Sequence, residues 1–363
     1  MVLPESGFRR ARAEILSWPG YAVTPMYELG DGAGVVRLKD EASRFGLGSF
    51  KALGGAYAVV GVLADTLARN TIAANVSTSD LVAGRYRAAT EGITVTSATD
   101  GNHGRSVAWG AQRFGARCVI FVHEGVSQGR IAAIARYGAE IRVVAGNYDE
   151  SVREAARVAA AEGWMVISDT SWDGYTEVPR AVMQGYRVMA DEAVGQWQGA
   201  PPTHVFIQGG VGGAAAAVSA QMRASYALPP KIVVVEPENA ACLLESAAQG
   251  RLVTVNGDLD TLMAGLACGE PSPLAWQEIG RAAFAFMAIP DAAAVDAMRL
   301  LARRGIVAGE SGVAGLAGLS LAMEDADART ALELDENSRV LLFSTEGATD
   351  PAVYAKLVGA CGA

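Results

Sequence analysis

The amino-acid sequence predicts an α/β fold with a largely parallel sheet, and three observations support this prediction. Strand-like apolar runs alternate with helix-like runs along the chain, which is typical of parallel sheets covered by helices. Glycine-rich or polar turns follow several of the strand-like runs. The chain has 363 residues, of which 51% are hydrophobic and 19% charged, so it can bury a large core.

The first series of alternating segments lies between residues 92 and 168. Its strand-like runs are GITVTSA at 92–98, RCVIFVH at 117–123, EIRVVA at 140–145 and WMVIS at 164–168. Between them, apolar side chains recur at helical spacing in residues 102–114, 128–137 and 148–162. The series therefore predicts one compact α/β unit.

A second series follows after residue 178. It consists of a predicted helix at 179–192, the strand THVFIQ at 203–208, a helix ending at Arg223, and the strands KIVVVE at 231–236 and RVLLFS at 339–344. Two segments show no such pattern. We expect residues 70–90 to be a loop-rich connection and the acidic residues 325–338 to be a solvated surface segment.

Charge and cysteine content restrict the class of protein. The formal net charge is −9, which argues against a nucleic-acid partner because phosphate binding needs positive charge. The N-terminus lacks the apolar region of a secretory signal, and no apolar run is convincing as a membrane span. We therefore expect a cytoplasmic protein. The cysteines and the three histidines show no metal-like spacing, so we expect free thiols and no metal.

A glycine-rich loop follows the strand at 203–208. Its residues are Gly209, Gly210, Val211, Gly212 and Gly213, and an Ala-rich helix-like run comes next. Glycines let backbone N–H groups approach a phosphate, and a helix N-terminus favours its negative charge. The loop has neither the Lys-Ser/Thr of a nucleoside-triphosphate loop nor the GxGxxG spacing of a dinucleotide site. The alternative is a tight turn that binds no ligand.

Lys51 stands out because small and apolar residues surround it. It follows Ser49 and Phe50 and precedes the run ALGGA. Partial burial would lower the pKa of such a lysine and make its amine a nucleophile for a carbonyl group. A lone lysine is otherwise a solvated surface charge, and that alternative stays open on these residues alone.

Three further polar segments follow predicted strands. They are SATDGNHG at 97–104, DTSWDGY at 169–175 and FSTEG at 343–347. Ligands of α/β proteins bind beyond the carboxyl ends of the strands, which is where these segments fall. Each segment alone is also compatible with an ordinary turn or a helix cap.

Together, these motifs resemble the fold type II enzymes that use pyridoxal 5′-phosphate, the group of the tryptophan synthase β-subunit and threonine dehydratase. RFGLGSFKALGG, SATDGNHGRSVAWGAQ, DTSWDGYTEVP and ESG at 310–312 are most similar to the diaminopropionate ammonia-lyases. Threonine dehydratases usually lack the aspartate seen as Asp100. The resemblance implies two three-layer α/β/α domains with largely parallel sheets. We expect a large cofactor-binding domain of residues 1–58 and 175–363, a smaller domain of 59–174, and an active site between them.

The resemblance also implies how pyridoxal phosphate would be bound. Lys51 would bind it covalently as a Schiff base, and Asn102 would donate a hydrogen bond to its phenolic oxygen. The backbone amides of Gly209, Gly210, Val211, Gly212 and Gly213 would bind its phosphate. Ser344 would face the pyridine nitrogen.

The implied reaction is an α,β-elimination of D- or L-2,3-diaminopropionate through aminoacrylate to pyruvate and ammonia. Lys51 would take the α-proton of an L-substrate, and Asp100 that of a D-substrate. Asp169 would bind or protonate the leaving amine, because charge-assisted hydrogen bonds are strong. A turn aspartate without a catalytic role is the alternative for Asp169.

Several alternatives remain on the sequence alone. The main one is a dehydratase of serine, threonine or 3-hydroxyaspartate, which differs only in the leaving group. A β-replacement enzyme and a non-catalytic binding protein are the others. The resemblance also implies that Cys242 and Cys268 can form a disulfide, whereas a reducing compartment favours free thiols. A small amino-acid substrate and a homodimer are the expected partners.

Overall fold

The computed structural model of the protein describes residues 2–30, 34–99 and 101–359. The chain divides into two compact units. Unit 1 contains Val2, Ala22–Phe50 and the chain from Tyr186 onward, and unit 2 contains Leu3–Tyr21 and Lys51–Gly185. The backbone thus passes from unit 1 to unit 2 at the peptide bond between Phe50 and Lys51.

The described residues form ten β-strands and 15 α-helices. The strands are β1 (Met26–Glu28), β2 (Val35–Asp40), β3 (Thr94–Ala98), β4 (Arg117–His123), β5 (Glu140–Val144), β6 (Met165–Val166), β7 (His204–Gln208), β8 (Lys231–Pro237), β9 (Ala283–Ile289) and β10 (Arg339–Ser344). The helices are α1 (Glu5–Leu16), α2 (Ala52–Arg69), α3 (Thr78–Val82), α4 (Arg87–Thr90), α5 (Asn102–Phe114), α6 (Gln128–Ala135), α7 (Tyr148–Glu162), α8 (Glu177–Gln196), α9 (Gly213–Ser225), α10 (Cys242–Gln249), α11 (Pro273–Ala282), α12 (Asp291–Ala302), α13 (Ala314–Glu324), α14 (Ala326–Ala331) and α15 (Pro351–Val358).

Unit 1 is built on a six-stranded sheet. Its strand order is β1-β2-β10-β7-β8-β9, and every neighbouring pair is parallel except β1 with β2. One face of the sheet packs against α12 and α13 in a core that includes Phe206, Val233 and Leu342. Because side chains alternate across a strand, Val205, Val234 and their neighbours are buried on the other face. This burial on both faces explains the near-continuous apolar runs of these strands.

Unit 2 is built on a four-stranded parallel sheet with the order β5-β4-β3-β6. Ala98, Val119 and Phe121 of the sheet pack against Ala155 of α7. α2 packs on α5, and the predicted α/β architecture with largely parallel sheets is confirmed in both units.

Glycines bring α2 and α5 close together. A Cβ at Gly55 would lie 2.0 Å from the hydroxyl of Ser106, and one at Gly110 would lie 3.0 Å from the Cα of Ala56. α2 is also long and apolar enough to cross a membrane by composition, but 61% of it is buried inside the protein. Its hydropathy is therefore that of a core helix.

The predicted domain boundaries differ from the division seen in the contacts. Residues 3–21, 51–58 and 175–185 belong to unit 2, not to the larger unit. The first of these segments is held there by Trp18, whose ring packs against that of Phe114 with centroids 5.9 Å apart. Residues 175–185 approach α2 closely at Gly185, where a Cβ would lie 1.9 Å from the carbonyl oxygen of Leu53.

Most segments predicted from periodicity are confirmed. α5, β4, α7 and β10 begin and end at the predicted residues. The strand predicted at 164–168 is wrong in length, because β6 has only two residues. Residues 70–90 contain the short helices α3 and α4, and residues 325–338 include α14.

Candidate active site

Lys51 lies immediately before α2, in unit 2. Its carbonyl oxygen accepts hydrogen bonds from the N–H groups of Gly54 and Gly55, which close the first turn of that helix. Its Nζ lies 2.6 Å from the Oδ2 of Asp169, and its side chain is 22% exposed. The lysine is therefore half-buried and ion-paired, not a solvated surface charge.

Asp169 follows β6 and is buried. The N–H of Ile167 donates to the carbonyl oxygen of Thr96 at 2.7 Å, which continues the pairing with β3 as far as the residue before Ser168. Burial alone would raise the pKa of the Asp169 carboxyl. The neighbouring His103 and the Lys51 ammonium, which donates a hydrogen bond, instead hold that pKa below its usual range. Asp169 is therefore a carboxylate at neutral pH.

His103 is the second neighbour of Asp169. Its Nε2 lies 2.9 Å from the carbonyl oxygen of Ile167, so this nitrogen carries the proton and donates. Its Nδ1 lies 3.7 Å from the Asp169 Oδ2 and has no hydrogen-bond partner among the described residues. Burial lowers the pKa of His103. The Asp169 carboxylate opposes this effect of burial, so the charge states of the two buried side chains depend on each other.

Asn102 opens α5 directly after the turn that follows β3. The guanidinium of Arg105 donates to its Oδ1 at 2.6 Å. Because a guanidinium can only donate, this contact assigns the amide oxygen to Arg105 and the NH2 group to other partners. The predicted donor role of Asn102 fits this orientation. The predicted base Asp100 lies outside the described residues.

The glycine loop of unit 1 joins β7 to α9. Gly210 and Gly212 have φ values of +58° and +96°, in the left-handed region that favours glycine. A Cβ at Gly209 would lie 2.6 Å from the Cγ of Glu236, and one at Gly212 would lie 3.1 Å from Ile279. The first amides of α9 have no acceptor within their own helix. A side chain is therefore excluded at Gly209 and strained at Gly212, and the loop leads directly into a helix N-terminus, which favours an anion. The N–H of Gly209 donates to the carbonyl oxygen of Val235 at 2.9 Å, and that of Gly212 donates to the carbonyl oxygen of Gly209 at 3.1 Å.

Ser344 lies at the same edge of this sheet. It ends β10, which is the parallel neighbour of β7, and it is fully buried. Gln208 connects the two strand ends, since its Nε2 donates to the carbonyl oxygen of Phe343 at 2.9 Å. The Ser344 hydroxyl donates to the carbonyl oxygen of Glu346 at 3.5 Å. Unit 1 thus brings together the glycine loop and Ser344, which the family resemblance assigns to the same ligand, pyridoxal phosphate.

Two thiols and a carboxyl group lie around the glycine loop. Cys242 and Cys268 are buried and form no disulfide, and the Sγ of Cys242 lies 3.8 Å from the carbonyl oxygen of Gly210. A Cβ at Gly210 would lie 3.9 Å from the Sγ of Cys268. Burial raises the pKa of Glu236 to about 8, although backbone N–H groups donate to it. A protonated Glu236 would not repel a bound phosphate.

His103, Arg105 and Glu236 are not among the site residues predicted from the sequence. The only sequence signal for His103 and Arg105 is their position in the SATDGNHGR segment beside Asn102. Glu236 follows the apolar strand KIVVV and resembles an ordinary strand end. Burial and long-range contacts are what associate these three residues with the site.

Each unit holds residues that fit a part of pyridoxal phosphate. In unit 2 the amine of Lys51 can react with the cofactor's aldehyde, and the Asn102 amide is a neutral donor. In unit 1 the loop leaves no room for a Cβ at Gly209 and precedes a helix N-terminus that suits a phosphate, and Ser344 supplies a neutral hydroxyl. Within the described residues, no group of three or more His, Cys, Asp or Glu side chains could hold a metal ion.

Comparisons with known proteins agree with this assignment. The family model described as pyridoxal-phosphate dependent enzyme matches residues 18–346. The diaminopropionate ammonia-lyase of Escherichia coli strain K12 is 40% identical over 356 residues, which are 93% of this chain and 88% of that protein.

Two solved structures of the Escherichia coli diaminopropionate ammonia lyase are similar to this fold. The complex with D-serine has a TM-score of 0.90 at 37% identity, covering 99% of this chain and 93% of that one. The complex with an aminoacrylate-PLP azomethine reaction intermediate has a TM-score of 0.88 at 37% identity, with the same coverage. The chain therefore belongs to the pyridoxal-phosphate dependent enzymes and, within them, to the diaminopropionate ammonia-lyases.

Proposed function

We propose that this protein is a pyridoxal-phosphate dependent lyase that eliminates ammonia from 2,3-diaminopropionate. The observation that carries the proposal is the buried carboxylate of Asp169, held 2.6 Å from the amine of Lys51. A buried carboxylate needs a cation beside it. Diaminopropionate brings a second ammonium group to this position, whereas serine brings a neutral hydroxyl.

Pyridoxal phosphate, when bound, supplies an electron sink that acidifies the α-proton of an amino acid. Lys51 would hold the cofactor covalently, and backbone amides of the loop at 209–213 would hold its phosphate. Ser344 would face the ring nitrogen. The Asn102 NH2 group, oriented by Arg105, would donate to the phenolic oxygen.

The side chains of this chain then move the protons. The Lys51 amine takes the α-proton of one enantiomer, and Asp100 takes it from the opposite face for the other enantiomer. Asp169 binds the β-ammonium group, which leaves as neutral ammonia when the carbon–nitrogen bond breaks. Hydrolysis of the remaining unsaturated amine consumes one water and releases pyruvate with a second ammonia.

The number of ammonia molecules released per pyruvate provides a direct test of the proposed function. Diaminopropionate should yield two ammonia molecules per pyruvate, whereas serine should yield one. We expect both products from D- or L-diaminopropionate, with kcat/KM above that for D- or L-serine and for threonine. Faster turnover of a hydroxylated amino acid than of both diaminopropionate enantiomers would instead make the protein a dehydratase.

We also propose that the protein acts as a homodimer in the cytoplasm. Closed dimers are the commonest assemblies of soluble proteins. Within the described residues, Cys118, Cys242 and Cys268 are buried and form no disulfide, as expected in a reducing compartment. Light scattering of the purified holoenzyme should give twice the chain mass of 37.6 kDa. Cell fractionation should place the activity in the soluble fraction.

A further inference from the structure

The segment that leads to Asp169 is held on one side by a side chain in place of a strand. β6 contains only Met165 and Val166, and it is an edge strand of the unit 2 sheet among the described residues. The hydroxyl of Tyr175 donates to the carbonyl oxygen of Val166 at 2.8 Å. The same hydroxyl accepts from the N–H of Ser168 at 3.1 Å. One phenol therefore satisfies two backbone groups on the free side of the strand.

The other side of this segment is held by β3 and α5. The N–H of Ile167 donates to Thr96 at 2.7 Å, and its carbonyl oxygen accepts from His103. Because backbone polar groups alternate along an extended chain, the groups of Val166 and Ser168 face away from β3. Tyr175 therefore completes the hydrogen bonding of the residues that immediately precede Asp169.

Tyr175 is itself fixed by a tight turn. Its ring stacks on that of Trp172, with centroids 4.1 Å apart and an interplanar angle of 12°. The two residues also exchange backbone hydrogen bonds of 3.3 and 2.9 Å. Burial raises the pKa of the Tyr175 phenol, so it keeps the proton that it donates to Val166. The turn after Asp169 thus folds back and supports the chain before Asp169.

We propose that Tyr175 is a positioning residue for Asp169. Through Val166 and Ser168 it holds the backbone so that the carboxylate stays at the place where it meets Lys51 and, in our proposal, the β-ammonium group of the substrate. The inference rests on the proposed role of Asp169, and it assigns to Tyr175 no contact with substrate or cofactor.

The test is a double-mutant cycle with Tyr175→Phe and Asp169→Asn. Tyr175→Phe keeps the ring stacked on Trp172 and removes only the hydroxyl. We expect kcat/KM for diaminopropionate to fall about 10- to 100-fold, because a displacement of about 1 Å can cost about 10²-fold in rate. In the Asp169→Asn background, the same change should have no further effect on kcat/KM. Its effect on the melting temperature should be the same in both backgrounds.

The matched control is Tyr137→Phe in the same unit. The Tyr137 hydroxyl accepts a hydrogen bond from the exposed Arg136 at 2.7 Å. Its removal should change kcat/KM by less than about twofold, as is usual for surface substitutions. Equal losses from Tyr175→Phe in both backgrounds would overturn the inference, since the tyrosine would then act independently of Asp169. Full activity of Tyr175→Phe would overturn it too.

Trp172 provides a second pair of variants in case Tyr175→Phe does not fold. Trp172→Ala removes the stacking surface and should lose activity in the same non-additive way. Trp172→Phe keeps an aromatic ring for Tyr175 to stack on and should retain the activity that Trp172→Ala loses. Loss of activity in Trp172→Phe would contradict the inference. Should Asp169→Asn alone leave turnover of diaminopropionate unchanged, the proposed role of Asp169 fails. If only the tyrosine variants keep full activity, the inference about Tyr175 fails and the proposed function stands.

Discussion

The Nζ of Lys51 and the Oδ2 of Asp169 are 2.6 Å apart, although 118 positions separate them in the chain. The pair forms because Lys51 precedes α2 and Asp169 follows β6, and both elements belong to unit 2. A buried carboxylate without a cation is costly, and Lys51 supplies that cation here. Our proposal that Asp169 binds the β-ammonium group of a diamino acid rests on the same requirement once the Lys51 amine carries the cofactor.

Replacing Lys51 by alanine should abolish covalent attachment of pyridoxal phosphate. The measurement is the mass of the protein after borohydride reduction, which should rise by one cofactor only in the unsubstituted protein. Turnover should fall by about 10²–10⁴-fold or more, the contribution typical of one general acid–base group. Lys356→Ala, at an exposed position in α15, is the control. Reduction that still labels the Lys51→Ala protein would contradict the assignment.

Replacing Asp169 by asparagine should impair turnover of diaminopropionate more than turnover of serine. A hydrogen bond to a charged group contributes about 1.5–3 kcal/mol. This corresponds to a loss of about 10- to 150-fold in kcat/KM for diaminopropionate. The measurement is kcat/KM for both substrates. Asp173→Asn, exposed in the same loop, is the matched control. Equal losses for the two substrates would show that the carboxylate does not recognise the β-ammonium group.

Replacing Gly212 by alanine should weaken cofactor binding. The φ of +96° places the new side chain in a strained conformation, and its Cβ would lie 3.1 Å from Ile279. We expect a loss of about 1–2 kcal/mol in stability and a higher Kd for pyridoxal phosphate, measured by titrating the apoprotein. For Gly195→Ala, near the end of α8, a Cβ has no atom within 4 Å. That variant should keep the Kd unchanged, and an unchanged Kd for Gly212→Ala would contradict the prediction.

The buried His103 should make the protein less stable as the pH falls. Burial lowers the pKa of His103 in the folded state below the usual value of 6.5, so the unfolded chain binds more protons. The stability is therefore fully present above about pH 6.5 and is lost as the pH falls toward the folded-state pKa. His103→Gln should reduce this slope by up to about 1.4 kcal/mol per pH unit.

The measurement is the free energy of unfolding by urea between pH 5 and 7.5. His204→Gln is the companion variant, since burial lowers the pKa of His204 as well and the residue lies in unit 1. His204→Gln should reduce the dependence of the free energy of unfolding on pH over the same range without changing kcat/KM. An unaltered slope for His103→Gln would mean that the imidazole is charged in the folded protein.

The sequence by itself determined the elements whose signals are local. α7 begins and ends at the predicted residues because Asn147 and Glu150 form a capping box and Gly163 takes the left-handed conformation at its end. The residue types of the site were also visible, since Lys51, Asn102, Asp169 and Ser344 lie in motifs beside strands or helices. Periodicity and caps depend on neighbours a few positions apart, so the sequence displays them directly.

The tertiary structure alone decided the elements and contacts that depend on distant residues. β2 contains Lys39, and in the sequence this charge argues against a buried strand. In the folded protein its Nζ lies 2.7 Å from the carboxylate of Glu192, 153 positions away, which compensates the buried charge. The hydrogen bonding of Val166 and Ser168 likewise depends on Tyr175, and the pKa of Asp169 depends on His103 and Lys51. Burial makes a charge costly, and only the folded chain brings its partner to it. For that reason the sequence identified the groups of the site, and the fold decided which of them act on each other.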